Sequence, residues 1–297
     1  MNEKYIFIEQ ARCINQHAIA KWAESIGVSK SGYYTWLKER NKRAKREERR
    51  SLEVIQVFKE GQGHYGAERI CGVIRSRGGK ASFGLVKSIM KENGLKSSHC
   101  RRRQRSLTDS RTARSNCYKN LIQDLSIDAP FQVLSSDITY IRTGEGFEYL
   151  CQIRDVFSNV VLGVSQSSRM TQDLVHQALL AVQGRFNLPR NIIFHSDRGS
   201  QYTAEQTQKL IASFGWHQSY SRVGKPGDNA WSESFFANMK KEIIHWNHFP
   251  TRDDARQACF EYIENYYNYE RVQKNLGFLA PAEYLRTWQE EHNLFVA

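Results

Sequence analysis

Between Phe131 and Asp197 the apolar residues take up the two-residue period of β-strands, and this switch constrains the fold more than any other feature of the chain. Three such runs follow at hairpin spacing: Phe131–Ile141, Phe147–Asp155 and Val160–Ser165, with the turn Gly144-Glu145-Gly146 between the first two. A helical stripe of Leu174, Ala178, Leu179 and Val182 then spans Thr171 to about Phe186, and a short strand ends at Asp197. A helix over Thr203–Phe214, a strand over Gly215–Ser221 and a helix carrying Glu233 complete the order β-β-β-α-β-α-β-α, an α/β (α+β) arrangement.

Within that order three acids occupy unusual contexts. Asp137 interrupts the β-branched run Ser135-Ser136-Asp137-Ile138-Thr139-Tyr140, Asp197 ends Asn191-Ile192-Ile193-Phe194-His195-Ser196-Asp197, and Glu233 opens a helix after Gly227-Asp228-Asn229-Ala230. Desolvating a carboxylate costs several kcal/mol unless it is paired, protonated or bound to a cation. Hard divalent cations such as Mg2+ take oxygen ligands, and two of them about 3.5–4 Å apart stabilise both the attacking and the leaving oxygen of an in-line phosphoryl displacement. The structural alternative has Asp197 capping a turn through Arg198-Gly199-Ser200 and Glu233 pairing with Lys240.

Charge is unevenly spread. Residues 1–120 hold 27 Lys and Arg against 11 Asp and Glu, a net of +16, whereas the remainder holds 16 against 20, a net of −4. A basic front of this kind is the footprint of a polyanion partner, because each neutralised phosphate releases condensed counterions. No apolar run approaches the roughly 18–20 residues that span a bilayer, and the N-terminus has no basic segment leading into an apolar one, so the expectation is a cytoplasmic, nucleoid-associated protein with no membrane partner. Six scattered cysteines without a Cys-x-x-Cys pair read as reduced thiols.

The front itself is helical. Ala18, Ile19, Trp22, Ala23 and Ile26 form one stripe, Gly27 ends that helix, and Ser29 is placed to cap a second through Lys30 to about Arg40. In a helix–turn–helix the second helix enters the major groove, here with Lys30, Ser31 and Tyr34 towards the bases. Lys38–Arg50, with Arg43 and Arg46, reads as a basic helix or linker riding on phosphates. A second helical unit follows, with Val54, Ile55 and Phe58, then His64-Tyr65-Gly66-Ala67-Glu68-Arg69-Ile70, and a helix capped by Ser82. Residues 96–120, with Arg101, Arg102, Arg103 and Arg105, lack apolar periodicity and read as a basic strap. The resulting domains are 1–50, 51–95, a linker at 96–125, a catalytic core at 126–247 and a helical extension at 248–297. Because residues 1–120 carry the positive excess, deleting them is expected to abolish end-specific binding and to leave a folded catalytic domain.

The three acids, with 35 residues between Asp197 and Glu233, resemble the Asp-Asp-Glu (DDE) triad of the retroviral-integrase superfamily. The words Ser136-Asp137-Ile138-Thr139-Tyr140, His195-Ser196-Asp197-Arg198-Gly199-Ser200-Gln201-Tyr202, Asp228-Asn229-Ala230, and Leu276-Gly277 before Pro281 resemble the second-reading-frame (OrfB) transposases of IS-three-family insertion sequences. The resemblance implies an RNase H-like catalytic domain, in which the first and fourth strands are neighbours and Asp137 meets Asp197 across 59 intervening residues. It implies Asp137, Asp197 and Glu233 as catalytic metal ligands for two Mg2+ (or Mn2+) ions, and Lys240, seven after the Glu, as a DNA contact. His195, beside Asp197, reads either as a support for the acids or as DNA-facing, and Arg198 is a further DNA-facing candidate. The implied activity is nicking at element ends followed by 3′-hydroxyl strand transfer. The implied partners are terminal inverted repeats, target DNA, at least a second copy of the chain, and the first-frame OrfA product or a fusion with it. Leu134, Tyr220 and Gln273 stand where the family has Trp, Met and His. The competing readings are a DNA-binding regulator that uses only the N-terminal helices, and an RNase H-like nuclease without strand transfer.

Overall fold

The computed structural model describes residues 2–14, 19–98, 118–222 and 230–292. The expectations for Arg101, Arg102, Arg103 and Arg105 therefore lie outside the described residues.

Helices α1 (Asn2–Ile14), α2 (Ile19–Ser25) and the start of α3 (Lys30–Glu60) close over Tyr5, Ile8, Ala23 and Tyr33. Gly27, at φ +68°, makes the turn that α2 needs to end, and the Ser29 hydroxyl accepts the Gly32 N–H at 3.0 Å to start α3. The second helix does not stop near Arg40. It runs 31 residues, roughly 46 Å, because Lys38–Arg50 contains neither Gly nor Pro and consists mostly of Lys, Arg, Glu and Ala, all strong helix formers. The boundary expected between residues 50 and 51 thus falls inside one helix that the first two units share. Its far end packs Val54 and Val57 against α4 (Ala67–Ser76) and α5 (Phe83–Glu92), over Ile70, Val73, Ile74, Val86 and Ile89.

The sheet has five strands: β1 (Val133–Thr143), β2 (Gly146–Asp155), β3 (Val161–Ser167), β4 (Ile193–Ser196) and β5 (His217–Tyr220), in spatial order β3-β2-β1-β4-β5. β1 pairs antiparallel with β2 and parallel with β4, so the first and fourth strands are neighbours as expected. One face is covered by α6 (Gln172–Arg185), which buries Leu174, Val175, Ala178, Leu179 and Val182. Gly163 in β3 permits that approach, since a Cβ there would meet Val182 Cγ2 at 2.5 Å and the Ala178 carbonyl at 2.8 Å. A short α7 (Ser200–Thr203) and α8 (Glu205–Ser213) lead from β4 to β5.

Against the other face lie α9 (Ala230–Glu242) and α10 (Arg252–Phe260), the latter running into a π-helical turn at Glu261–Tyr267. Phe235, Phe236, Met239, Phe249, Cys259 and Ile263 share a core there with Ile141 and Leu150 of the sheet. Phe249 also bridges Thr143, so the extension is continuous with the core domain. The final helix α11 (Pro281–Glu291) brings Leu285 to the α6 side. Residues 118–125, read from the sequence as linker, pack against the sheet domain: the Lys119 carbonyl accepts the Tyr220 N–H at 2.9 Å, and Ile122 is buried with Val133 and Val156. No helix of the described residues is long and apolar enough to cross a membrane.

The candidate active site

The parallel pairing Ser135↔His195 sets the site. Asp137 and Asp197 each lie two residues beyond that pair on adjacent strands running the same way, so the chain delivers both carboxylates to one end of the sheet. The Ser136 hydroxyl bonds Tyr202 Oη at 2.9 Å on the α6 side, and alternation therefore turns Asp137 to the face that α9 covers. Gln152, the antiparallel partner of Asp137, is fully buried, and neither of its amide atoms has a hydrogen-bond partner.

All three carboxyls hold their protons above the ordinary range. Asp137 is pushed up to about 7, first by burial and then by the charges of Asp197 and Glu233; the Ile138 N–H, at 2.8 Å, and Lys240 pull the other way. Asp197 is raised by burial and opposed by the Gly199 N–H at 2.9 Å. That bond is the turn cap of the structural alternative, so Asp197 both caps the turn and faces Asp137. Glu233, in the first turn of α9, is raised by partial burial. Lys240, two turns later, stands with Nζ 5.5 Å from the Tyr140 ring centre; burial lowers its ammonium, and the Asp137 charge offsets part of that. Among the described residues, no three His, Cys, Asp or Glu side chains already converge closely enough to hold an ion. The hard oxygen donors and their mutual repulsion nevertheless suit a divalent cation.

Other candidates land differently. His195 is fully buried, with Nδ1 2.9 Å from Ser219 Oγ and Nε2 3.1 Å from Ser221 Oγ, so the expected DNA-facing role is corrected. The neighbouring strand supplies hydroxyl partners for both ring nitrogens, and the ring stays inside. Arg198 spends its guanidinium on the Ser221 carbonyl at 2.8 Å and the Tyr118 carbonyl at 3.2 Å, tying β5 to residue 118. Lys30, Ser31, Tyr34, Arg43 and Arg46 are all exposed along α3. Glu68 pairs with Lys274. The departures have packing reasons: Leu134 is in the core, the Tyr220 ring lies tilted against Tyr118 with centroids 4.6 Å apart, and Gln273 accepts the Asn159 amide at 3.1 Å. Missed from the sequence was the buried pair Glu242–Arg271, at 2.7 Å. In the sequence Glu242 follows Lys240 and Lys241 and Arg271 follows Glu270, so neither stood out from its charged neighbours.

Two integrase core domain family models match residues 128–226 and 233–287, and an HTH-like domain model matches residues 45–104. The transposase InsF for insertion sequence IS3A of Escherichia coli (strain K12) is 34% identical over 285 residues, covering 95% of this chain and 98% of that protein. The chain belongs to the IS3 family of transposases. The transposase for insertion sequence element IS904 of Lactococcus lactis subsp. lactis (strain IL1403) is 37% identical over 235 residues, 79% of this IS3-family chain and 92% of its own. Among solved structures, the catalytic core domain of BIV integrase aligns with a TM-score of 0.41 at 16% identity, covering 55% of this chain and 99% of that one.

Proposed function

We propose that this IS3-family DDE transposase nicks the ends of its element and joins the freed 3′-hydroxyl to a second phosphodiester, with Asp137, Asp197 and Glu233 forming a site for two divalent ions, Mg2+ or Mn2+. The observation that carries the reading is the matched placement of Asp137 and Asp197 on parallel neighbours, with the charge of Glu233 also bearing on Asp137. Bound there, the ions would activate the attacking hydroxyl and neutralise charge at the scissile phosphate. The Ile138 and Gly199 N–H groups orient the two aspartates, and Lys240 offers the phosphate a point charge beside them. Lys30, Ser31 and Tyr34 face the bases of the terminal repeat while Arg43 and Arg46 follow its backbone. The working form on element ends and target DNA contains at least two copies of the chain, alone or with the first-frame product.

The test is incubation of the chain with element-end DNA and Mg2+ or Mn2+. Asp137→Asn, Asp197→Asn and Glu233→Gln are each expected to abolish nicking and joining together, and the double variants to be no worse than the singles. Sequenced products decide the alternatives. Binding of ends without metal-dependent cleavage restores the regulator, cleavage without joining restores the nuclease, and retained cleavage in any one variant removes that acid from the site.

A further inference from the structure

The helix that carries Glu233 ends in a buried ion pair. Ser232, Phe235, Phe236, Met239 and Glu242 form the inward stripe of α9, so its last residue enters the core rather than solvent. There the Arg271 guanidinium grips Glu242 from two nitrogens, with Nη2 2.7 Å from Oε1 and Nε 2.9 Å from Oε2, and the Tyr262 hydroxyl adds a third donor at 2.8 Å. A helix fixed at one end by a forked, bidentate contact cannot rotate about its axis or slide without breaking it. Glu233, nine residues back or roughly 14 Å along the same helix, is held in azimuth and depth by that grip.

Arg271 is itself held by the second helical unit. The Tyr65 hydroxyl, just before α4, donates to the Glu270 carbonyl at 3.0 Å and accepts the Val272 N–H at 3.0 Å, so one oxygen pins the backbone on both sides of Arg271. Tyr266 Oη donates to the Gly61 carbonyl at 3.1 Å and seats the same joint from the opposite direction. The Arg69 guanidinium lies 5.2 Å from the Tyr65 ring centre.

We propose that Tyr65, Arg271 and Glu242 are positioning residues for the transposition reaction, through which the seating of the DNA-binding unit sets the placement of Glu233. The proposal rests on the catalytic reading of Glu233 for its consequence but not for its geometry. A merely structural joint would lower stability everywhere alike. A positioning joint acts on α9 in particular.

The experiment uses the full chain with Tyr65→Phe, which keeps the ring and removes only the bridging oxygen. In metal-free, DNA-free protein, hydrogen exchange should quicken about tenfold at the amides of α9 and of residues 270–272, while β1, β4 and α5 keep wild-type protection. With element-end DNA and Mg2+, single-turnover strand transfer should slow about tenfold with unchanged affinity for the end. Lys274→Ala, which removes an exposed pair across the same joint, should leave α9 exchange at wild-type values. Faster exchange confined to α4, or spread evenly over the molecule, overturns the proposal, as does normal strand transfer with altered α9 exchange. If the wild-type chain performs no strand transfer while Tyr65→Phe still loosens α9, the proposed function fails and the mechanical coupling stands. Should Tyr65→Phe not fold, Tyr262→Phe removes one donor from Glu242 without touching the second unit, and unchanged α9 exchange in that variant overturns the proposal.

Discussion

A carboxyl pushed up to about 7 by burial and by two neighbouring acids destabilises the metal-free protein whenever it is ionised. For Asp137 the folded value lies above the unfolded value of about 3.9, so the folded state binds its proton more tightly. The Asp137 contribution to stability is therefore most favourable at low pH, declines as pH rises between those two values, and carries the full cost above about 7. Asp137→Asn should flatten this decline and raise the metal-free melting temperature above pH 7, by an amount equivalent to a few kcal/mol at most; denaturant titrations in EDTA on either side of pH 7 measure it. Added Mg2+ should stabilise the wild type and not the variant, and equal stabilisation of both would remove Asp137 from the ion site. At this scale the sequence was most legible where a residue type is costly in its context, as with Asp137 in a β-branched run, or where spacing alone sets a face, as with Lys240. It was least legible for His195. Proximity to Asp197 in sequence says nothing about the hydroxyls of Ser219 and Ser221, which arrive from another strand and keep the ring buried.

Among the elements, the order and approximate limits of the strands could be read from periodicity, because alternate side chains of the central strands pack under helices on opposite faces of the sheet and a one-residue slip would exchange the two sets. The length of α3 was obscured by its charge: a solvated basic stretch has no apolar stripe, and only its helix-forming composition and the missing Gly and Pro pointed to a helix. The π-helical turn at Glu261–Tyr267 left no periodic trace at all. The Glu242–Arg271 pair belongs to this scale, since it fastens the end of α9 to the segment after that turn. Burial alone would raise the Glu242 carboxyl, but the hydrogen bonds and charge of Arg271, with the Tyr262 hydroxyl, outweigh it and leave it below the ordinary value. The contribution of the pair is accordingly present above the unfolded value of about 4.3 and is lost as pH falls through the lower folded value. Glu242→Gln leaves the buried Arg271 guanidinium without its carboxylate and should cost about 3–5 kcal/mol near neutral pH, with the deficit shrinking in acid. Urea unfolding across the acid range checks both the size and the sign.

At the scale of the whole molecule, the charge asymmetry suggested a front end that handles DNA and a back end that does chemistry, with a strap between them. Charge cannot report whether the two are seated on each other, because every contact that decides it joins residues about 200 positions apart. Tyr65 and Gly61 reach residues 266–272, Lys274 reaches Glu68, and the Phe278 ring lies over Gly72 in the middle of α4. These contacts count against the expectation that the catalytic domain stays well folded once residues 1–120 are removed. Such a truncation uncovers Tyr266, Val272 and Phe278 and should yield a less stable, aggregation-prone fragment. Gly72→Ala separates a seated unit from a tethered one by the sign of its effect. In an isolated helix, Ala in place of an interior Gly stabilises by about 0.8–1 kcal/mol. Here a Cβ would stand 2.1 Å from Phe278 Cε1, so the ring must leave its place or the helix must shift. Overpacking of that kind costs about 1–3 kcal/mol, which exceeds the helical gain over most of its range. The full-length variant should therefore melt below wild type, while the same substitution in Phe278→Ala protein should be neutral or stabilising. A higher melting temperature for Gly72→Ala in the otherwise unaltered chain would mean that the second helical unit rides free of the catalytic domain.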